Sequence, residues 1–295
     1  MKRTSIIAVL LILLLAAAAY FVLQRPGEQS VSFEDGSTLV QYDSSAIDRM
    51  TISGPRGSVA IEKQAGKWML VEPLRYPADQ AAVATAVGKG TTIRLAGLIS
   101  SNPAKQKLFE VDSAATLVTM YDRGAAKAAF RVGKPGSSFS ETYVRAEGSP
   151  DVYLTPEVLT FTFAKDVKEW RDRAIITPDR ATIRSIAYRY GDTTFTLTRT
   201  DTLWRIDGGA VNEQAVTSLI AALASLQADE FIDSAVTAPP NLTAVIEVDG
   251  MQIRFHENTT TKRWFVQTSL SPQWFELQPW RAQQVLKRKS ELLPA

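Results

Sequence analysis

The chain has 295 residues, with 33 Lys and Arg against 31 Asp and Glu, one histidine and no cysteine. This near balance of charge excludes a general electrostatic attraction to nucleic acid. The missing cysteines exclude disulfides, thiolate nucleophiles and cysteine-ligated metals together, so a folded domain must rely on its apolar core.

The first element in chain order is an apolar run, Ile6 to Leu23, with no charge in it. Lys2 and Arg3 precede it, and Gln24, Arg25 and Pro26 close it. About 18 helical residues rise roughly 27 Å, close to a bilayer's hydrocarbon thickness. A cleavable signal could end at Ala17 or Ala19, but Tyr20, Phe21, Val22 and Leu23 continue the apolar run beyond such a site. The segment therefore reads as an uncleaved transmembrane anchor over residues 6–23. The cationic flank keeps residues 1–5 in the cytoplasm, so the rest is expected outside a bacterial inner membrane, periplasmic or extracellular. Residues 24–41 are polar and read as a tether, with folded structure beginning near Tyr42.

From Ile47 the pattern alternates. Met50 and Ile52, then Val59 and Ile61, flank a turn at Gly54-Pro55-Arg56-Gly57, and Gly66 precedes a third strand at Lys67-Trp68-Met69-Leu70-Val71. Asp79 reads as a helix N-cap, followed by Ala82, Val83, Ala86 and Val87 at helical spacing. The same order returns. Ile183 and Ile186, Phe195 and Leu197, and Leu203-Trp204-Arg205-Ile206 read as strands, before Asn212 as cap and Val216, Leu219, Ile220 and Leu223 on a helix. Further on, hairpins start at Leu117-Val118-Thr119-Met120 and Ala244-Val245-Ile246-Glu247, and Pro156 and Pro279 stand where closing helices could begin. The segment Phe161–Trp170 then answers to Ala282–Leu292. Self-similarity of this length fixes architecture more firmly than a single motif. The expected fold is α+β: one N-terminal transmembrane helix, then repeat units 42–177 and 178–295. Each unit is a mostly antiparallel sheet packed with two helices.

Several stretches resemble the DUF4340 family. They are Leu39-Val40-Gln41-Tyr42-Asp43, Ile47 to Ile52, Gly66-Lys67-Trp68, Glu72 to Asp79, Leu98-Ile99-Ser100-Ser101-Asn102-Pro103, Phe109-Glu110-Val111-Asp112 and Trp170-Arg171-Asp172-Arg173. The resemblance implies one N-terminal membrane segment and an extracytoplasmic domain of unknown biochemical function. It also implies an association with ABC-type transport systems like those of the gliding-motility GldF/GldG proteins. It supplies no catalytic residues.

Candidate chemistry is sparse. His256 and Glu257 are neighbours on an expected strand and so point to opposite faces, which argues against a shared site. Gly88-Lys89-Gly90-Thr91 lacks the hydroxyl directly after lysine that a phosphate-binding loop needs, and Gly133-Lys134-Pro135-Gly136 has proline there. Trp264, Trp274 and Trp280 could form a sugar platform but read better as packing residues, as do Trp68 and Trp204. Lys287-Arg288-Lys289 reads as a solvated helix face. No catalytic, cofactor-binding or metal-binding residue is assigned, and no cofactor is expected. The leading expectation is a non-enzymatic accessory subunit of an ABC transport complex, with an extracytoplasmic module for envelope glycan or lipid as the alternative. A hydrolase using two of the many carboxylates stays open as a third.

Overall fold

The computed structural model describes residues 37–191, 193–234 and 241–294. The chain divides into two compact units, the first ending at Asp172 and the second beginning at Arg173, ahead of the Thr177–Pro178 division read from the sequence.

The first unit runs β1 (Thr38–Gln41), β2 (Arg49–Gly54), β3 (Gly57–Gln64), β4 (Lys67–Glu72), β5 (Tyr76–Pro77), α1 (Gln80–Thr91), β6 (Thr92–Arg94) and β7 (Gly97–Ser100). After a crossing segment come β8 (Thr116–Asp122), β9 (Ala125–Pro135), β10 (Thr142–Ala146), β11 (Val152–Thr155) and α2 (Thr160–Phe163). Nine of its strands form one sheet in the order β5-β4-β3-β2-β8-β9-β10-β11-β7, while β1 and β6 form a two-stranded sheet of their own. β1 falls within the residues read as a tether, and its pairing of Val40 with Ile93 and Gln41 with Thr92 ties that stretch to the domain.

The second unit contains β12 (Ser185–Tyr190), β13 (Thr193–Thr200), β14 (Leu203–Ile206), α3 (Glu213–Ala224) and β15 (Glu230–Ile232). It continues through β16 (Leu242–Val248), β17 (Met251–Glu257), β18 (Trp264–Thr268), β19 (Ser271–Leu277) and α4 (Pro279–Val285). Its eight strands follow the order β14-β13-β12-β16-β17-β18-β19-β15. Read from β4, the large sheet of the first unit has the same succession, strand for strand.

The expected fold class needs correction. The protein is dominated by antiparallel sheet, in three sheets, and among the described residues no helix is long and apolar enough to cross a membrane. The run read as a transmembrane helix, residues 6–23, lies outside the described residues. The closing helices shrink as well. α2 has four residues and α4 seven. In the first unit Thr160, Phe161, Thr162 and Phe163 are β-branched or aromatic and favour helix weakly. A fresh start follows at Asp166, whose backbone N–H donates to the Glu169 carboxylate at 2.7 Å, opening a 3-10 turn. The second unit repeats this device, with the Arg288 N–H donating to Glu291 at 2.7 Å.

Each unit buries one long helix on its sheet. Asp79 accepts the Ala82 N–H at 2.9 Å and Asn212 accepts the Ala215 N–H at 3.1 Å, satisfying first-turn donors that would otherwise lack partners. Val83, Ala86 and Val87 face Met50, Leu70, Met120 and Phe130 in the first core. In the second unit Val216, Leu219 and Leu223 are fully buried, as are Ile186, Leu197, Ile246 and Phe255. Trp68 and Trp204, at matching places on β4 and β14, are each 8% exposed and complete these cores.

Candidate functional site

The two units part company between the strands that end one half of the sheet and begin the next. In the first unit residues 101–115 leave β7, form a 3-10 segment (Pro103–Phe109) and cross over β9 and β10 before β8. Asn102 caps that segment by accepting the Ala104 N–H at 3.0 Å, and Pro103 suits its first turn. Glu110 ends it in the left-handed conformation, at φ 56°, with its N–H donating to Lys107 O at 3.2 Å. For a residue with a Cβ this backbone state costs on the order of 1 kcal/mol.

Two arginines rising from the sheet hold the crossing segment down. Arg145 on β10 is buried, and it donates from Nε to Val111 O at 2.8 Å and from Nη1 to Ser149 O at 2.8 Å. Arg131 on β9 donates to Asp112 O at 3.2 Å and Ser113 O at 3.1 Å, while Glu147 receives its Nε at 2.6 Å and its Nη2 at 3.0 Å. Hydrogen bonds from a charged donor contribute on the order of 1.5–3 kcal/mol each, so this clamp outweighs the cost at Glu110. Burial, and next the neighbouring Arg131, pull the Arg145 pKa below its ordinary value. The Arg131 hydrogen bond holds the Glu147 carboxyl below the usual carboxylate range. Gly133 makes the close crossing possible. A Cβ there would collide with Phe109 O and stand 2.6 Å from a Val111 methyl.

A cleft of about 470 Å³ opens beside this crossing, within the size range of small-ligand sites. Its floor is Ala115, Thr116, Val132 and Gly133, and one wall is the β2–β3 turn with Pro55 and Arg56. Lys107, Glu110 and Asp112 come from the crossing segment, and Thr160 and Ala164 from α2 and its end. Thr160 Oγ1 donates to Gly133 O at 2.8 Å, and Thr142 Oγ1 both donates to Glu157 O at 2.7 Å and accepts the Leu159 N–H at 2.9 Å. These bonds fix α2 against β9 and β10, so the cleft is shaped before any ligand arrives. Arg56, Lys107, Glu110 and Asp112 form no ion pair among the described residues; the Asp112 carboxylate accepts the nearby Ala114 N–H at 3.2 Å. On the far side of Asp112 lies an open polar depression of about 540 Å³, floored by Arg131, Arg145 and Glu147.

The residues weighed from sequence as candidate chemistry fall elsewhere, with one exception. Gly133, of the Gly133–Gly136 run, lines the cleft as a packing glycine. Gly88–Thr91 ends α1, where Gly90 abuts Met120 and Thr91 Oγ1 bonds back to Val87 O at 2.8 Å. His256 is buried, edge-on to Trp274 at 5.2 Å, and no group of three or more metal-ligating side chains exists among the described residues. Trp264 packs on Phe255 at 6.3 Å and shares its sheet face, whereas Trp274 shares that of His256. The two indoles thus lie on opposite faces and cannot form one stacking platform. Trp280 is 54% exposed, under the Arg281 guanidinium at 4.6 Å. In the basic run, Lys289 pairs with Asp207 at 2.7 Å, Lys287 with Glu291 at 3.6 Å, and Arg288 stacks on Tyr190 at 4.2 Å.

Sequence reasoning missed Arg56, Lys107, Arg131 and Arg145. The available signal was the pair of stretches Leu98–Pro103 and Phe109–Asp112 that carried the family resemblance, for they begin and end the crossing segment. No curated protein and no solved structure matches the chain. The sequence model of the family described as "Domain of unknown function (DUF4340)" matches residues 68–245, which take in the crossing segment, β8 to β11 and α2. The chain belongs to the DUF4340 family.

Proposed function

We propose that this protein is a non-enzymatic, extracytoplasmic accessory protein that works beside a membrane as a partner of a gliding-motility-like ABC transport complex. The observation that carries the binding role is the cleft of the first unit. Its walls are fixed by hydrogen bonds, yet the four charged residues lining it form no ion pair among the described residues. Preformed shape with uncommitted charge suits recognition of another molecule. The transport association rests on the family resemblance.

The test is isolation of the full chain in mild detergent from cells carrying tagged transporter subunits. Co-purification in constant ratio is expected, and repeated isolation without transporter subunits would refute the assignment. A second reading is a binding module for envelope glycan or lipid, and the size and mixed charge of the same cleft favour its lipid form.

A further inference from the structure

The cleft presents two cations, Arg56 and Lys107, and two carboxylates, Glu110 and Asp112. A purely anionic ligand would satisfy the first pair and be repelled by the second, and a purely cationic ligand the reverse. A neutral sugar would leave all four without counterparts, and no aromatic side chain lines the cleft to stack on a sugar ring. The charge pattern calls for one molecule bearing an anionic group and an ammonium close together.

The segments that line the cleft also carry exposed apolar side chains. Among the described residues of the first unit three large hydrophobic side chains are strongly exposed: Leu108, Phe139 and Phe161. Leu108 follows Lys107 on the crossing segment and is 61% exposed, while Phe161 follows Thr160 on α2 and is 65% exposed. Phe139 stands on the β9–β10 loop, just past the Gly133–Pro135 end of β9. All three thus sit on segments that build or adjoin the cleft. Exposed apolar side chains next in the chain to charged or polar lining residues suit a ligand whose polar head continues into hydrocarbon.

We propose that the cleft binds the headgroup of an aminophospholipid. The phosphate pairs with Arg56 and Lys107, the ammonium pairs with Glu110 and Asp112, and Leu108 and Phe161 meet the glycerol and acyl region. This rests on the reading of the cleft as a binding site and names its ligand; it does not require a transporter.

Isothermal titration of the full chain in detergent tests it, with glycerophosphoethanolamine as the tail-free headgroup probe. Glycerophosphate, ethanolamine and dialanine serve as anion, cation and peptide zwitterion. Saturable binding of glycerophosphoethanolamine is expected, with each single-charge fragment at least about tenfold weaker. The double variants Arg56→Gln/Lys107→Gln and Glu110→Gln/Asp112→Asn should each weaken it about tenfold while leaving thermal unfolding unchanged. A dihexanoyl form of the lipid should bind more tightly than the headgroup alone, and Leu108→Ser/Phe161→Ser should remove that gain. Absence of saturable binding, tighter binding of dialanine, or indifference to both double variants would overturn the proposal. Loss of transporter co-purification with lipid binding intact would refute only the transport assignment, and the converse only the ligand.

Discussion

The two units carry the same strand succession but differ where one half of the sheet passes to the other. In the first, residues 101–115 form a clamped crossing segment between β7 and β8, whereas in the second only nine residues of chain separate β15 from β16. The shared part is core: a capped 12-residue helix on an antiparallel sheet, closed by a tryptophan on the third strand of the hairpin series. The added part builds the cleft. A repeated scaffold can thus keep its packing while one copy gains a cleft beside a single longer connection, where extra length costs little.

A second contrast lies at the sheet edge. In the first unit the backbone of Trp68 is engaged on its outer side, its N–H donating to Gln80 at 2.8 Å and its carbonyl accepting from Ala78 and Gln80 at 3.1 and 2.9 Å. In the second unit, asparagine-capped α3 begins with Glu213 in place of Gln80, and a carboxylate cannot donate to the Trp204 carbonyl. The same hairpin is thus finished at its edge in one copy and simpler in the other.

The largest expected effect tests the shared part. Trp68→Ala and Trp204→Ala should each cost about 3 kcal/mol in urea unfolding, and a cost confined to one of them would break the equivalence of the two cores. Next comes Gly133→Val, which should cost about 2 kcal/mol by forcing the crossing segment off β9. Hydrogen exchange should then rise in residues 101–115 but not in β12 to β19; a uniform rise would deny that the crossing segment is a local addition. The smallest effect concerns acid. Arg131 lowers the Glu147 pKa, so this carboxylate stabilises the first unit above the ordinary Glu value of about 4.3 and loses that contribution as pH falls through its lower folded value. Glu147→Gln should therefore reduce the stability lost between neutral pH and about pH 3, by under about 1 kcal/mol. Thermal unfolding at both pH values reads the difference, and identical acid responses would show that the ion pair does not hold the clamp.

Local signals in the sequence reached the local structure. The alternation of Met50, Ile52, Val59 and Ile61 gave strands β2 and β3, and Asp79 and Asn212 were legible as caps because a cap bonds within three residues of itself. The closing helices were overread. Pro156 and Pro279 mark possible starts, but Thr160 to Phe163 resist helix, and the restarts at Asp166 and Arg288 depend on side-chain bonds that hydrophobic spacing does not reveal.

The cleft was out of reach for a different reason. Arg145 meets Val111 across 34 positions and Arg131 meets Ser113 across 18. Neither pair leaves a periodic trace, and an arginine on a strand reads as a solvated residue until the chain that covers it is placed. By itself the sequence determined the absence of cysteine chemistry, the near-neutral charge, the alternation of the strands and the capped helices, all set by composition or by neighbours in the chain. Only the tertiary structure decided which connection lies over β9 and β10, and so which four charges face one cleft, because those contacts depend on sheet order rather than on chain order.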